Sequence, residues 1–318
     1  MPQGPRFRGF PVLRLWSCHR SLMSMSVVPG QRGQGSHSAA TRRVRHPNSA
    51  PRISMRSRAW IAALFVAPFL CCSILHSEGL SAADIIARSA QATQRDWEAD
   101  PHYDCLEQDR TKDGSKTYED LMIDGSPYQE LVAVHGRPLP PAQQAEEKQK
   151  LQQTIARRKS ETPPERAQRV AKYQENRKRD HALMTDLTKA FNFTLRGKGR
   201  LDGREVYVLD ARPRPGYKPD SAQTQVLTGM KGRLWIDTKT FQWVRVEAEV
   251  IHPVSIDGFL ARVEPGTRFE LEKMPVADGV WLPKHFAMRS HARVLFVFGR
   301  HGSDDESYSQ YRPQTQSF

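Results

Sequence analysis

Two stretches of strict alternation organise this chain. Val244, Val246, Ala248 and Val250 fall on one side of a period-two pattern, and Arg245, Glu247 and Glu249 on the other. Phe286, Met288, Ala292, Val294, Phe296 and Phe298 likewise share a side opposite Arg289, His291 and Arg293. Period two marks strands with one buried face. A one-residue slip would expose either apolar set, so the register of both is expected to be fixed. The second run, Lys284–Gly299, would span roughly 50 Å at about 3.3 Å per residue. A strand that long bends, which suits a strongly curled sheet or an incomplete barrel.

Shorter runs of the same kind lie at Lys116–Ile123, Tyr128–His135, Glu205–Ala211, Arg233–Asp237, Phe241–Ile251, Arg268–Lys273 and Asp305–Arg312. Asp-Gly pairs at 113–114, 124–125, 202–203, 257–258 and 278–279 punctuate them. That dipeptide suits type I′ hairpins, whose two central residues both need positive φ. Frequent hairpin signals with no helix between most runs predict sequential antiparallel neighbours, about ten strands in all.

Two segments change period. Residues 84–98 place Ile86, Ala90, Thr93 and Trp97 at spacings of four, three and four, which predicts a short helix lying on the sheet. Residues 140–191 are dense in Gln, Glu, Lys and Arg and read as two helices divided at Pro163-Pro164. Thr162 and Glu165 fit a capping box opening the second. That helix is polar at first and ends on an apolar stripe of Leu183, Met184, Leu187, Ala190 and Phe191. This charged insert is expected to be solvated, with its last turns docked on the sheet. It then serves as a bare helical hairpin, as a lid, or as an arm that docks a partner.

The front of the chain differs from the rest. Residues 1–54 lack hydrophobic periodicity and read as a disordered segment preceding a second start at Met55. Residues 55–83 have the order of a secretory signal: Arg56 and Arg58, an apolar run from Ala59 to Cys72, and small residues at Ser81, Ala82 and Ala83. The expected mature domain is 84–318, exported across the inner membrane to the periplasm, with membrane association left open.

Charge follows the same division. The net charge is +13, but residues 1–77 hold 11 Arg and no acid, the first being Glu78. Taking those 11 from 48 basic residues, and Glu78 from 35 acidic ones, leaves a surplus of only three. Nucleic acid is therefore not an expected partner. Of four cysteines, Cys18, Cys71 and Cys72 precede the expected cleavage site and Cys105 alone follows it. No internal disulfide can form, so an ordinary core must hold the fold.

Candidate chemistry is sparse. No zinc-protease helix, phosphate loop, dinucleotide glycine pattern or nucleophile elbow occurs. Gly197-Lys-Gly199 has too few glycines for a phosphate cradle. His285 and His291 are six apart on one strand, about 20 Å at about 3.3 Å per residue, too far to share a metal. Asp304-Asp305-Glu306 could offer oxygen ligands to calcium but lacks the spacing of an EF-hand loop, and is expected to be a solvated loop. The reading is of a protein without enzyme activity, cofactor or metal. A site scattered over distant strands stays open as a hydrolase alternative. The aromatic set Trp235, Trp243, Phe269, Trp281, Phe286, Phe296 and Phe298 is the candidate ligand-binding group, because apolar pockets are lined by such side chains.

Gly232-Arg-Leu-Trp-Ile-Asp237, a turn at Thr238-Lys-Thr240, and Phe241-Gln-Trp-Val-Arg-Val-Glu247 resemble the central hairpin of LolA-type outer-membrane lipoprotein-sorting proteins. Gly279-Val-Trp-Leu-Pro283, leading into a long strand, resembles their later strands. The match covers roughly residues 84–135 and 192–312. The resemblance implies an α+β fold, mainly β: an unclosed antiparallel β-barrel with a short N-terminal helix, its concave apolar face covered by helices. It implies a monomeric periplasmic carrier of a lipid or a lipoprotein acyl chain. The helical insert departs from that pattern. An alternative function is an envelope interaction or sensor module in which the insert docks a protein partner.

Overall fold

In the computed structural model, residues 79–221, 224–256, 261–294 and 298–314 are described. The segments read as a disordered front and a signal lie outside them, except residues 79–83, and so does the Asp257-Gly258 turn. Helix α1 spans Ala82–Ala99 and is followed by strands β1 (Tyr103–Thr111), β2 (Gly114–Ile123), β3 (Ser126–Val134) and β4 (Arg137–Pro138). Two helices come next, α2 (Pro141–Lys159) and α3 (Pro163–Ala190). Strands β5 (Phe191–Leu201), β6 (Arg204–Pro213), β7 (Met230–Asp237), β8 (Trp243–Val250), β9 (Val254–Ile256) and β10 (Ala261–Val263) follow. The chain ends on β11 (Arg268–Ala277), β12 (Val280–Val294) and β13 (Phe298–Pro313).

Among the described residues the strands form one antiparallel sheet in the order β4-β3-β2-β1-β13-β12-β11-β8-β7-β6-β5, with β9 and β10 attached beside β12. It does not close: β4 and β5 are its edges. The fold is thus an unclosed half-barrel of thirteen strands rather than about ten. The extra ones are short pieces, β4, β9 and β10, and β5, which begins at Phe191 immediately after α3. Bulges interrupt the registers of five strand pairs, β1–β13, β2–β3, β5–β6, β7–β8 and β11–β12. Each bulge bends its strand, and together they curl the sheet.

Turn chemistry sets the hairpins. Asp124-Gly125, Asp202-Gly203 and Asp278-Gly279 all hold both residues at positive φ, as type I′ turns require. His135-Gly136 does the same at φ 53° and 72°, a turn that lacks the Asp-Gly signal. Helices α1 and α3 open on capping boxes, whereas α2 starts at Pro140-Pro141 without a side-chain cap. Ser81 Oγ accepts the Asp84 N–H at 3.1 Å, and the Glu165 carboxylate accepts the Thr162 N–H at 2.8 Å.

Three local expectations are corrected. The strand read from Phe241 starts at Trp243, because Asp237 Oδ1 captures the N–H groups of Lys239 and Thr240 and holds 238–242 as a turn. Val244 does not share a face with Val246. A bulge between Trp235 and Ile236, opposite Trp243–Arg245, shifts the phase, so Trp243, Val246 and Val250 enter the main core while Val244 packs elsewhere. Asp304-Asp305-Glu306 is no loop: all three lie within β13, and Glu306 is buried.

The main core joins α1 and α3 to the concave face of the sheet. Ile85, Leu183 and Ala190 from the helices meet Leu209, Leu234, Ile236, Val246 and Leu271 from the strands. A smaller cluster seats α2 on the β2–β3 hairpin through Ile155, Leu121 and Ile123. Arg158 tightens that seat by donating to three strand carbonyls, of Ile123, Ser126 and Pro127, at 2.7–3.0 Å. No helix among the described residues is long and apolar enough to cross a membrane.

Candidate ligand-binding cavity

Between the helices and the concave face lies a cavity of about 300 Å³. Its roof comes from two helices: Ile86, Ala90 and Thr93 of α1, and Leu183, Met184 and Leu187 of α3. Its floor is one row of paired residues, Ala211, Gly232, Ala248 and Phe269, flanked by Trp243, Val246, Leu271 and Phe286. The small side chains at 211, 232 and 248 are what leave room there. Larger residues on either side form the walls.

The helical pattern explains the roof. On α1 two adjacent stripes do different work. Ile85, Ala92 and Asp96 are buried against the sheet, whereas Ile86, Ser89, Ala90 and Thr93 line the cavity. The first half of α3, expected to be solvated, instead docks on the β2–β3 hairpin, where Arg169 donates to Ser126 Oγ at 2.7 Å and Tyr173 is buried beside Met122, and the apolar stripe at its end closes the roof.

Polar contacts hold this roof in place. Asp96 is 3% exposed. Its carboxylate accepts from Gln242 Nε2 at 2.9 Å and from the Trp281 N–H at 3.0 Å, and it pairs with Lys273 Nζ. Trp243 Nε1 donates to Ser89 Oγ at 2.5 Å. Sequence reasoning missed Asp96, since one acid on a helix carries no local signal of distant partners.

The two roof helices also meet each other. The His181 ring stacks on Trp97 with centroids 4.4 Å apart, and the Arg177 guanidinium lies 4.5 Å from the same indole. His181 Nε2 is 2.8 Å from Gln94 Oε1. Burial, with Arg177 alongside, lowers the His181 pKa. Both His181 and Gln94 line the cavity, as do Lys231, Glu270, Ser89 and three threonines.

The structure divides the candidate aromatic residues. Trp243, Phe269 and Phe286 line the cavity. Trp235 does not: strict alternation along β7 puts Leu234 and Ile236 on the concave face and Trp235 on the other, beside Val206 and Val208. Trp281 also lies elsewhere, packed with Val206 and Val244 and 4.8 Å from the Arg204 guanidinium. It pairs with Pro275, four residues along β11 from Leu271, roughly 13 Å at about 3.3 Å per residue. Phe296 lies outside the described residues, as does the side chain of Phe298. The missed lining residues, such as Leu187 and Ala248, are aliphatic. Cys105 is buried and its thiol pKa is raised by burial, which leaves it an inert core residue.

No protein-family model matches the sequence, and no curated protein matches it. Solved structures are similar to it at low identity. A putative outer membrane lipoprotein-sorting protein domain from Vibrio parahaemolyticus is 13% identical, with TM-score 0.29 over 72% of this chain and 94% of that one. A DUF1329 family protein from Desulfovibrio piger is 12% identical, with TM-score 0.30 over 73% and 94%. A LolA superfamily protein from Nitrosomonas europaea is 10% identical, with TM-score 0.30 over 75% and 96%. The fold assignment itself rests on the strand order and the helical roof described above.

Proposed function

We infer that this protein binds and carries a hydrophobic ligand, a lipid or a lipoprotein acyl chain, within the cell envelope. One observation carries the reading: an apolar cavity of about 300 Å³ set between a curled sheet and two helices. Ligand pockets run from about 300 to 1,000 Å³ and are lined mainly by apolar and aromatic groups with a few polar ones. The mechanism is burial. Each methylene removed from water contributes about 0.8 kcal/mol, so eight buried methylenes contribute about 6 kcal/mol before the entropy of association is subtracted. Release follows from lifting the α3 end of the roof, which is held by a short apolar stripe and by hydrogen bonds from Arg214 to the Thr188 carbonyl and from Tyr217 to Asp186.

The test is titration of the purified protein with a fluorescent fatty acid, beside an Ala248→Phe variant that fills the floor. Saturable binding that Ala248→Phe weakens at least tenfold supports the reading. Equal uptake by both proteins places the ligand outside this cavity and defeats it. The second function, partner docking by the insert, draws on the exposed, charged outer surface of α2. Deleting residues 142–190 separates the two. Loss of fatty-acid binding with a folded sheet marks the helices as a lid, and retained binding with loss of a protein partner marks them as a docking arm.

A further inference from the structure

Away from the cavity roof, β1, β2 and β13 gather acids on the concave face. The β1–β13 register sets Asp109 opposite Glu306 and Glu107 opposite Tyr308. Residues directly opposite in an antiparallel pair share a face, and so do residues two apart on one strand. Glu107, Asp109 and Glu306 therefore rise from the same side of the sheet. It is the side of Phe286, which pairs with Glu306 across β12. Each of the three carboxylates offers an oxygen within 4.8 Å of the other two, and all three residues are buried.

Glu107 points to a ligand on separate grounds. It is 0% exposed. Its Oε2 accepts from Gln129 Nε2 at 2.9 Å, while its Oε1 is buried with no N–H or hydroxyl donor, and its carboxyl lies within hydrogen-bond reach of that of Asp120. Asp120, Glu306 and Asp109 surround it. An oxygen so placed is satisfied either by a proton shared with a neighbouring acid or by a cation.

We propose that Glu107, Asp109 and Glu306 form a binding site for a hard divalent cation of the calcium or magnesium class. Calcium–oxygen distances of about 2.4 Å put oxygens on opposite sides of the ion about 4.8 Å apart, so this donor set fits within one coordination shell. An all-oxygen set without Cys or His selects calcium, magnesium or manganese over zinc or copper. Gln129 and Tyr308 serve as the outer layer. Gln129 holds Glu107, and the Tyr308 hydroxyl donates to Glu306 Oε2 at 2.7 Å, so two of the three ligands are oriented in advance. Water supplies the remaining positions. None of the three acids lines the apolar cavity, so the site is separate from the one proposed to take the acyl ligand.

The test is calorimetric titration of the full chain, freed of metal with EDTA, with calcium and separately with magnesium, alongside thermal unfolding. Extracellular calcium modules bind at about 10⁻⁴–10⁻³ M, so titration to about 10 mM reaches saturation. The expected result is 1:1 binding of one cation and a melting temperature that rises with its concentration. Glu107→Gln should weaken that binding at least tenfold, and so should Asp109→Asn. Circular dichroism in EDTA reports whether each variant is folded, and Glu306→Gln supplies an independent third variant. Absence of heat and of thermal shift with both cations overturns the site and leaves the shared proton. A metal response that survives all three substitutions also overturns it.

Discussion

Replacing Asp96 with alanine should loosen the wall of the cavity and the whole fold with it. Asp96 ties the last turn of α1 to the turn before β8, to β11 and to β12, through Gln242, Lys273 and Trp281. In the ion pair, the Lys273 side chain is 8% exposed and that of Asp96 4%. Removing one partner of a buried pair leaves the other charge uncompensated, which costs about 3–5 kcal/mol. Losing the acceptor for the Trp281 N–H acts in the same direction. Against a total stability of about 5–15 kcal/mol, that is a large fraction. For a domain of this size it lowers the melting temperature by roughly 6–20 °C, at about 2–4 °C per kcal/mol. Urea unfolding followed by circular dichroism measures the loss. Asp96→Ala combined with Lys273→Met should recover most of it, because an apolar replacement of a whole buried pair is close to neutral. A single variant that loses less than about 1 kcal/mol refutes the reasoning, as does a double variant no more stable than the single one.

Other outcomes follow from single positions. Gly229→Ala should destabilise by about 1–3 kcal/mol, since the added carbon would stand 2.5 Å from the His252 carbonyl oxygen and 2.4 Å from Val254, and crowding of this kind costs that much; chemical denaturation checks it. His181 has its pKa lowered by burial and Arg177, so its neutral ring favours the folded state. That contribution is present above the unfolded value of about 6.5 and is lost as pH falls below it. Melting temperatures from pH 8 to pH 5 should decline more steeply in the wild type than in His181→Gln, and equal slopes would contradict this. Leu187→Arg should weaken fatty-acid binding by putting a charge into the roof, read as a rise in Kd of at least tenfold.

Pattern made much of the fold legible. The period-two runs correspond to strands and the Pro163-Pro164 break to a helix junction, and three of the Asp-Gly pairs, at 124, 202 and 278, hold both residues at positive φ, whereas at Asp113-Gly114 only the glycine does. What stayed hidden depends on phase and on distance. Trp235 was grouped with the other aromatic residues by type, although its own strand alternates Leu234, Trp235, Ile236 and places it on the far face. Val244 was misplaced because a bulge is written in the backbone of two strands, and no residue type announces it. Glu306 was read in a three-acid run and thus as a loop. Its partners Glu107 and Asp109 lie some two hundred residues earlier, and only the pairing of the first strand with the last brings them together. The small floor residues Ala211, Gly232 and Ala248 are ordinary in sequence and become a site only when the register aligns them.

The most direct measurement is native mass spectrometry of the protein purified from the cell envelope, followed by extraction and analysis of whatever it carries. Carriage of a lipid predicts a mass heavier than the polypeptide by that of an acyl-bearing molecule, present in the wild type and absent in Ala248→Phe. A mass matching the bare polypeptide in repeated preparations, with no lipid in the extract, contradicts it.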